Sequence, residues 1–394
     1  MSGLKVAFIP SYVSGVVFYR FWQPYLAMQK MFKRDHYTVT WYEPDQFDMH
    51  RWEWWLEDTE SRRLLCAQLD VACRWADVVV WMGLHTERSL DLFNGLRAKY
   101  GKPFVSEFDD YIFSIPRANR ASACYKPGGD LTRIALAQMK LSDALVVSTP
   151  YLKELYQPIN PRVHVVENAI DLSLWRRDSS PAPQRVTIGW MGGGTHNEDH
   201  GMIKDAVMEV LEKNPGVRFH YISGGPVPDF FKGVKGIQWD HEFKAIDKYP
   251  RWISRQKFNV GIAPLVDNNF NRCKSNLRWL EYSAMGIPTV ASPVTHFKET
   301  IRDRETGFFA ETRQEWVSAL QALINEPELR ENIGKAARQE MKEKWSPQVL
   351  GRKYRQVLEG IANAKPNQEF VSNVSRPLNR RSEQPEVYSL AGAG

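Results

Sequence analysis

The sequence contains no long hydrophobic run and few cysteines. No stretch of about 18 uncharged apolar residues occurs among its 394 residues, so it predicts no membrane-spanning helix. The apolar run 6–9 is too short for a signal peptide, and we interpret it as a buried strand. The cysteines form no CxxC pair and have no metal-ligand spacing; they are Cys66, Cys73, Cys124 and Cys273. This argues against structural zinc and a disulfide framework, and we expect a protein of the reducing cytoplasm.

The composition excludes further classes of protein. With 43% hydrophobic and 25% charged residues, the chain is neither a disordered polymer nor a collagen or a coiled coil. Its formal net charge of +6 is compatible with an anionic substrate such as a nucleotide, or with nucleic acid, and selects neither. Aromatic residues make up 12% of the chain and suit stacking on sugars or bases as well as packing in a core.

Short apolar runs alternate with helical patterns along the first half of the chain. A β-branched run such as 77–82 is typical of a strand buried on both faces of a parallel sheet. Residues 51–75 have the apolar spacing of a helix. Strands separated by helices predict βαβ units and an α/β fold. The predicted strands of this half are 5–10, 38–42, 77–82, 103–107, 144–148 and 163–166.

A polar, proline-containing segment at 176–183 is the best candidate for a domain boundary. We predict an N-terminal Rossmann-like domain over 1–178 and a C-terminal one over 185–345. A last helix over 346–364 can cross back to the first domain, and the polar tail 365–394 is expected to be disordered. The predicted strands after the boundary are 186–190, 218–222, 260–264 and 289–291.

Two doubly wound domains of similar size leave a cleft between them. The carboxyl ends of the strands of both sheets would face this cleft. Ligands of open α/β sheets bind at those ends, so the sequence predicts an active site between the domains.

The segment 273–290 has the features of an anion-binding helix. Ser275 is a predicted N-cap, which places Lys274 and Ser275 at a helix N-terminus whose free N–H groups favour a phosphate. Arg278 follows Lys274 by four residues and adds a second cation to the same face. Glu281 is expected to face the same way and to accept hydrogen bonds from the two hydroxyls of a ribose. The alternative is an amphipathic helix with solvated charges.

A glycine-rich turn between a predicted strand and helix is a second anion-binding candidate. Gly192, Gly193 and Gly194 allow backbone N–H groups to approach an anion closely. The turn is not a GxGxxG fingerprint, and it lacks the GK[ST] of a Walker loop. A plain tight turn is the alternative.

Two carboxylates and a histidine follow predicted strands of the first half. Asp109 and Asp110 come after strand 103–107, and His85 comes after strand 77–82, so all three are expected at the carboxyl edge of the sheet. Adjacent carboxylates there can accept a proton from an acceptor hydroxyl, as catalytic bases, or bind a divalent ion. The alternatives are carboxylates that cap the next turn and a structural histidine.

The segment 273–290 resembles the donor-binding helix of retaining, GT-B-fold glycosyltransferases of family 4. In one branch of that family the motif reads KSxxKxLEYxAxGxPVV, and Lys274, Ser275 and Glu281 match it. The string 107–116, with its two adjacent aspartates, resembles a bacteriophage-encoded branch of similar enzymes. The resemblance implies an α/β chain with the GT-B architecture, in which two Rossmann-like, doubly wound domains face each other across a cleft.

The resemblance also implies roles for residues of the C-terminal half. Glu281 would bind the ribose of the nucleotide. Cys273 stands where the family has a glutamate that contacts the transferred sugar. The turn at 192–194 would wrap the diphosphate of the donor, with Thr195 and His196 as phosphate or sugar contacts.

Two N-terminal segments resemble the family as well. In its first loop, a glycine approaches the transferred sugar and the donor phosphates, and the corresponding candidates are Gly15, Tyr19 and Arg20. An arginine on the surface is the alternative for Arg20. The string around Asn168 resembles the hinge between the domains, where a structural role as a turn-former is expected.

From these features we predict a hexosyl- or pentosyltransferase that moves a sugar from a nucleotide-diphosphate sugar, such as a UDP-sugar, to an acceptor hydroxyl. No metal is required, because cations and amides neutralise the phosphates, although a divalent ion could bind. A hydroxylated or hydroxymethylated base in phage DNA is one acceptor, and a saccharide or lipid-linked glycan is the other. A sugar-nucleotide epimerase and an inactive nucleotide-sugar binding module remain open. Three tryptophans, Trp52, Trp54 and Trp55, either stack on a ligand or pack in the core.

Overall fold

A computed structural model of the protein describes residues 3–10, 14–40, 60–175, 185–194, 196–241, 244 and 248–364. The predicted tryptophan cluster at 52–55 and the predicted tail 365–394 lie outside these residues. The described strands form two sheets of six strands, and every pair of neighbouring strands is parallel. The predicted α/β class is confirmed.

The first sheet has the strand order β2-β1-β3-β4-β5-β6. Its inner strands are buried throughout because helices cover both faces, as parallel sheets require. Successive residues of β1 show the alternation, since Ala7 and Ile9 pack into one apolar cluster and Val6 and Phe8 into another. The strands are Lys5–Ile9 (β1), His36–Val39 (β2), Val78–Met82 (β3), Phe104–Phe108 (β4), Ala144–Val147 (β5) and Val163–Val165 (β6).

The second sheet has the order β12-β11-β10-β7-β8-β9. Counted within this half, that is the 3-2-1-4-5-6 order of dinucleotide-binding folds, with a switch of direction between β7 and β10. Sequence reasoning missed β9 and the two-residue β12, which form the two edges. The strands are Thr187–Gly192 (β7), Arg218–Ser223 (β8), Ile237–Asp240 (β9), Val260–Ala263 (β10), Thr289–Ala291 (β11) and Phe308–Phe309 (β12).

Helices connect the strands and cover the sheets. The first helical region starts at Gly15, where Ser14 caps it, and a π-helical turn at Phe18–Trp22 separates α1 from α2. The helices are Gly15–Val17 (α1), Gln23–Met31 (α2), Glu60–Trp75 (α3), Glu87–Tyr100 (α4), Asp130–Leu141 (α5), Pro150–Tyr156 (α6), Asn197–Lys213 (α7), Tyr249–Ser254 (α8), Asn269–Arg272 (α9), Leu277–Ala284 (α10), Thr295–Thr300 (α11), Arg313–Asn325 (α12), Pro327–Lys344 (α13) and Pro347–Asn363 (α14).

The last helix, α14, packs against the N-terminal sheet. Tyr354, Leu358 and Ile361 belong to the apolar cluster that also contains Phe8 of β1. An ion pair between Arg355 and Asp35 adds to this contact. The chain therefore returns to its first half after completing the second, while the predicted limits of the domains stay predictions.

Candidate active site

A cavity of about 410 Å³ lies between the carboxyl ends of the two sheets. Both halves of the chain line it, and in the second half its wall includes the ends of β7 and β10, at the switch in strand direction. Ten of the fifteen residues proposed from the sequence line the cavity: Gly15, Tyr19, Arg20, Asp109, Asp110, Gly193, His196, Lys274, Ser275 and Arg278.

Four other proposed residues do not line the cavity. His85 is half-buried and lies outside the cavity wall, and Glu281 is buried behind that wall. Gly192 and Gly194 belong to the turn but contact protein atoms. Thr195 lies outside the residues that the structure describes.

The glycines of the turn allow neighbouring segments to approach. A Cβ atom on Gly194 would lie 2.6 Å from the Cα atom of Gly225, and one on Gly192 would lie 2.8 Å from Nη2 of Arg278. Both distances are shorter than real Cβ contacts. These two positions therefore need glycine for close packing of the wall, while Gly193 faces the cavity.

Lys274 reaches across the cleft from the second half of the chain to the first. Its Nζ donates a hydrogen bond of 2.6 Å to Oδ1 of Asp110 and lies 4.3 Å from the centre of the Phe270 ring. Burial lowers the pKa of Lys274, but the carboxylates of Asp110, Asp109 and Asp199 together raise it by more, so the net shift is upward. The ammonium group therefore stays charged in the cavity.

The predicted N-cap at Ser275 is wrong. Helix α10 begins at Leu277 after Asn276, and the Ser275 hydroxyl accepts a 2.8 Å hydrogen bond from the side-chain amide of Asn168. Lys274 therefore precedes the helix and is not one helical turn from Arg278. The two cations share the cavity because the preceding turn, not the helix face, directs Lys274 into it.

Glu281 does not face the cavity, contrary to the expectation for a ribose ligand. It is 3% exposed, and its carboxylate accepts hydrogen bonds of 2.8 Å from the Tyr19 hydroxyl and 2.8 Å from Nη1 of Arg278. Burial raises the pKa of Glu281, while Arg278 opposes that shift. In this arrangement Glu281 holds Arg278 in the cavity wall and joins the two halves of the chain through Tyr19.

We expect Tyr19→Phe to destabilise the protein by about 1–2 kcal/mol. The substitution removes the hydroxyl but keeps the ring, and it leaves one oxygen of the buried Glu281 without its donor. Chemical denaturation of the variant measures this loss. Tyr25→Phe is the matched control, because its hydroxyl accepts an exposed hydrogen bond from Gln29. Equal stability of the two variants would contradict the prediction.

Arg20 is buried under the cavity rather than placed on the surface. Only 2% of it is exposed, and its guanidinium pairs with Glu107 and donates to the carbonyl of Val166 and to Oδ1 of Asn168. The hydroxyl of Tyr354 in α14 donates to the other oxygen of Glu107. Arg20 therefore links the first helix, the sheet and the segment after β6.

We expect Arg20→Met to lower the free energy of unfolding by about 3 kcal/mol. Methionine keeps much of the buried volume but leaves Glu107 without its countercharge, and an unpaired buried carboxylate is strongly destabilising. Urea denaturation near pH 7 measures the loss. The double variant Arg20→Met, Glu107→Gln should recover part of it, and no recovery would show that lost packing, not the unpaired charge, sets the cost.

Two adjacent carboxylates stand opposite the cations. Burial, followed by the charge of Asp110, raises the pKa of Asp109 to about 7, although Lys274 and Arg20 oppose the shift. The backbone of the pair is fixed, because Ser148 donates to the carbonyl of Asp109 at 3.1 Å. A carboxyl group that titrates near neutral pH in a cavity is suited to proton transfer.

Cys273 does not contact the cavity. Its side chain is fully buried among residues of the first half, including Phe108 and Tyr156. Its carbonyl accepts a 3.1 Å hydrogen bond from the Thr149 hydroxyl. This residue therefore closes one side of the cleft by packing.

Sequence reasoning missed part of the cavity wall. Ser148, Pro264 and Leu265 follow the carboxyl ends of β5 and β10, so the rule applied to Asp109 would have found them. Trp190 in β7 and Phe297 in the unpredicted helix α11 gave no comparable signal.

Two general features of the described residues bear on function. They contain no group of three or more His, Cys, Asp or Glu side chains arranged to hold a metal ion. None of their helices combines the length and apolarity needed to cross a membrane.

Solved structures with the same architecture define the fold class. Anabaena Alr3699/HepE, solved with UDP and glucose, superposes with a TM-score of 0.61 at 12% identity, over 90% of this chain and 99% of that chain. Sucrose-phosphate synthase from Thermosynechococcus elongatus gives 0.60 at 12% identity, over 91% and 99%. A putative UDP-N-acetylglucosamine 2-epimerase from Listeria monocytogenes gives 0.54 at 13% identity, over 93% and 99%. The expected GT-B fold is thereby confirmed.

Sequence comparison adds a narrower match. Residues 204–354 match the model of a family described as glycosyl transferase-like. The matched segment includes β10 and α9–α10, with Lys274 and Arg278 of the cavity wall. No curated protein matches this chain by sequence.

Proposed function

We propose that this protein transfers a sugar from a nucleotide-diphosphate sugar to an acceptor hydroxyl. The observation that carries the proposal is the cavity between the sheets, where two cations and a glycine turn stand opposite two carboxylates. The glycosyl transferase-like match over 204–354 supports it, as does the UDP found with the structurally similar HepE protein.

The cations would bind the diphosphate and stabilise it as a leaving group. Lys274 and Arg278 supply charge where negative charge develops on the phosphate oxygens, and the amide of Gly193 adds a donor. Since Lys274 pairs with Asp110, donor binding would compete with this ion pair. This scheme uses side chains and amides alone for neutralisation and assigns no step to a metal.

Asp109 would act as the base for the acceptor hydroxyl. It lies in the cavity wall on the side contributed by the first half of the chain, opposite the donor cations. With a pKa of about 7 it exchanges its proton at neutral pH. The first half of the chain would accordingly bind the acceptor, and the second half the donor.

The finer parts of the proposal concern stereochemistry and acceptor. Retention of anomeric configuration follows from the family 4 resemblance, and NMR of the product would test it.

DNA with hydroxylated or hydroxymethylated bases is the first acceptor to test, because the chain is basic and resembles a phage-encoded branch. Binding to duplex DNA should then weaken steeply with salt; salt-independent binding would favour a glycan acceptor.

A thermal-shift panel of nucleotide sugars tests the proposed function. We expect a stabilising shift with one nucleotide-diphosphate sugar, since a ligand that binds only the native state raises the melting temperature. The responding donor is then incubated with modified DNA and with glycans, and the products are analysed by mass spectrometry. A panel in which no nucleotide sugar stabilises the protein would overturn the proposal.

A sugar-nucleotide epimerase is the second candidate. Its basis is the structural similarity to the putative epimerase from Listeria monocytogenes, together with the neutral-range pKa of Asp109. An epimerase would convert the donor without any acceptor, whereas a transferase needs one. An inactive binding module would shift the melting temperature and give neither product.

A further inference from the structure

Asp199, in the first turn of α7, is a buried carboxylate that joins three segments of the cavity wall. It is 4% exposed. Its Oδ2 lies 2.7 Å from Nδ1 of His196, and its Oδ1 accepts hydrogen bonds from the Val266 amide at 2.8 Å and the Asn271 side chain at 2.9 Å. The side chain of Asp199 thus connects the glycine turn with the segment after β10 and with α9.

This contact determines which nitrogen of His196 carries the hydrogen. An ionised carboxylate can only accept hydrogen bonds, so Nδ1 of His196 must carry the hydrogen in the contact with Asp199. The remaining nitrogen, Nε2, then presents a lone pair when the ring is neutral. The ring lines the cavity and packs edge-on against Trp190 with 5.6 Å between centroids, which restricts its rotation.

A lone pair needs a hydrogen-bond donor as its partner. The phosphate oxygens of a nucleotide are acceptors, and Lys274 and Arg278 already supply donors for them. A sugar hydroxyl can donate. The orientation of His196 therefore fits the sugar portion of a ligand better than its phosphates.

We infer that Asp199 is a positioning residue that makes His196 a hydrogen-bond acceptor for a hydroxyl of the transferred sugar. The inference rests on the proposed function, because it assigns one part of the same cavity to the sugar. Asp199 itself does not touch the ligand. Its effect on sugar recognition passes through His196.

Isothermal titration of matched ligands tests the inference. The dissociation constants of UDP and UDP-glucose, and of GDP and GDP-mannose, are measured for the full chain, and the pair that binds the wild type is used. His196→Ala should weaken the sugar nucleotide about tenfold, the scale of one hydrogen bond, and the bare nucleotide less than twofold. Asp199→Asn should have the same selective effect, because its amide would donate to Nδ1 and leave Nε2 carrying the hydrogen.

The double variant separates positioning from a general structural role. If Asp199 acts through His196, Asp199→Asn adds no further selective loss in the His196→Ala background. Asp240→Asn is the matched control, since Asp240 makes a similar 2.6 Å contact with His220 away from the cavity and should leave both ligands unaffected.

The outcomes distinguish this inference from the proposed function. Equal loss of nucleotide and sugar nucleotide in the single variants, or additive losses in the double variant, would overturn the inference alone. A wild type that binds no nucleotide sugar would overturn the proposed function and the inference with it.

Discussion

Lys274→Ala is expected to lower kcat/KM about 1,000-fold. Losing one preorganised charge contact to the leaving group typically costs roughly 100- to 1,000-fold in turnover, and weaker donor binding adds to it. The substitution also frees Asp110, whose carboxylate would then repel the diphosphate. Steady-state kinetics with the donor found in the thermal-shift panel measures the effect.

Arg272→Ala is the matched control for Lys274→Ala. Arg272 is two residues away, is 42% exposed, pairs with Asp267 and is absent from the cavity wall. It should keep kcat/KM within about twofold, because exposed ion pairs contribute little. Unchanged activity of Lys274→Ala would remove the phosphate-binding assignment of this residue.

Asp109→Asn is expected to lower kcat by about 1,000-fold. The amide cannot accept the proton of the acceptor hydroxyl, and general bases contribute roughly 100- to 10,000-fold. In the wild type, activity should rise with pH and level off above about pH 7, because only ionised Asp109 is a base. In the variant this rise should be absent; a variant that keeps the rise would exclude Asp109 as the base.

The raised pKa of Asp109 also predicts that the free energy of unfolding changes with pH. The pKa of Asp109 is about 7 in the folded protein, above its ordinary value of 3.8. The folded state therefore binds more protons between these values, and stability falls as pH rises through this range. Asp109→Asn should be more stable than the wild type by roughly 4 kcal/mol at pH 8 and equal to it near pH 3. Asp130→Asn, on an exposed carboxylate outside the cavity wall, is the control variant.

Much of the fold could be predicted because its strands are buried on both faces. Such strands appear in the sequence as continuous apolar runs. The predicted start of β3 differs from the observed one by one residue. The edge strands β9 and β12 lacked that signal, since β9 is only half-buried and β12 has two residues. The start of α10 was misplaced because serine is a good N-cap in general, while Ser275 binds Asn168 from the other half of the chain.

The residues of the candidate site were also predictable only in part. Asp109 and Asp110 were predicted at the site because they follow a parallel strand, and Gly193 because it belongs to a glycine turn. All three lie in the cavity wall. The direction of a charged side chain was not predictable, because it depends on partners distant in sequence. The carboxylate of Glu281 accepts a hydrogen bond from Tyr19, which lies in the first half of the chain. This contact holds Glu281 behind the cavity wall.

By itself, the sequence determined the alternation of strands and helices, because this follows from local apolar periodicity. It also determined the two parallel sheets and the sheet edge at which the polar residues lie, because these follow from the geometry of βαβ units. Only the tertiary structure decided which of the charged residues reach the cavity. Lys274 does so opposite Asp110, whereas the carboxylate of Glu281 is buried against Tyr19 and Arg278. The reason is that each buried charge must find a countercharge, and those partners come together only when both halves of the chain have folded.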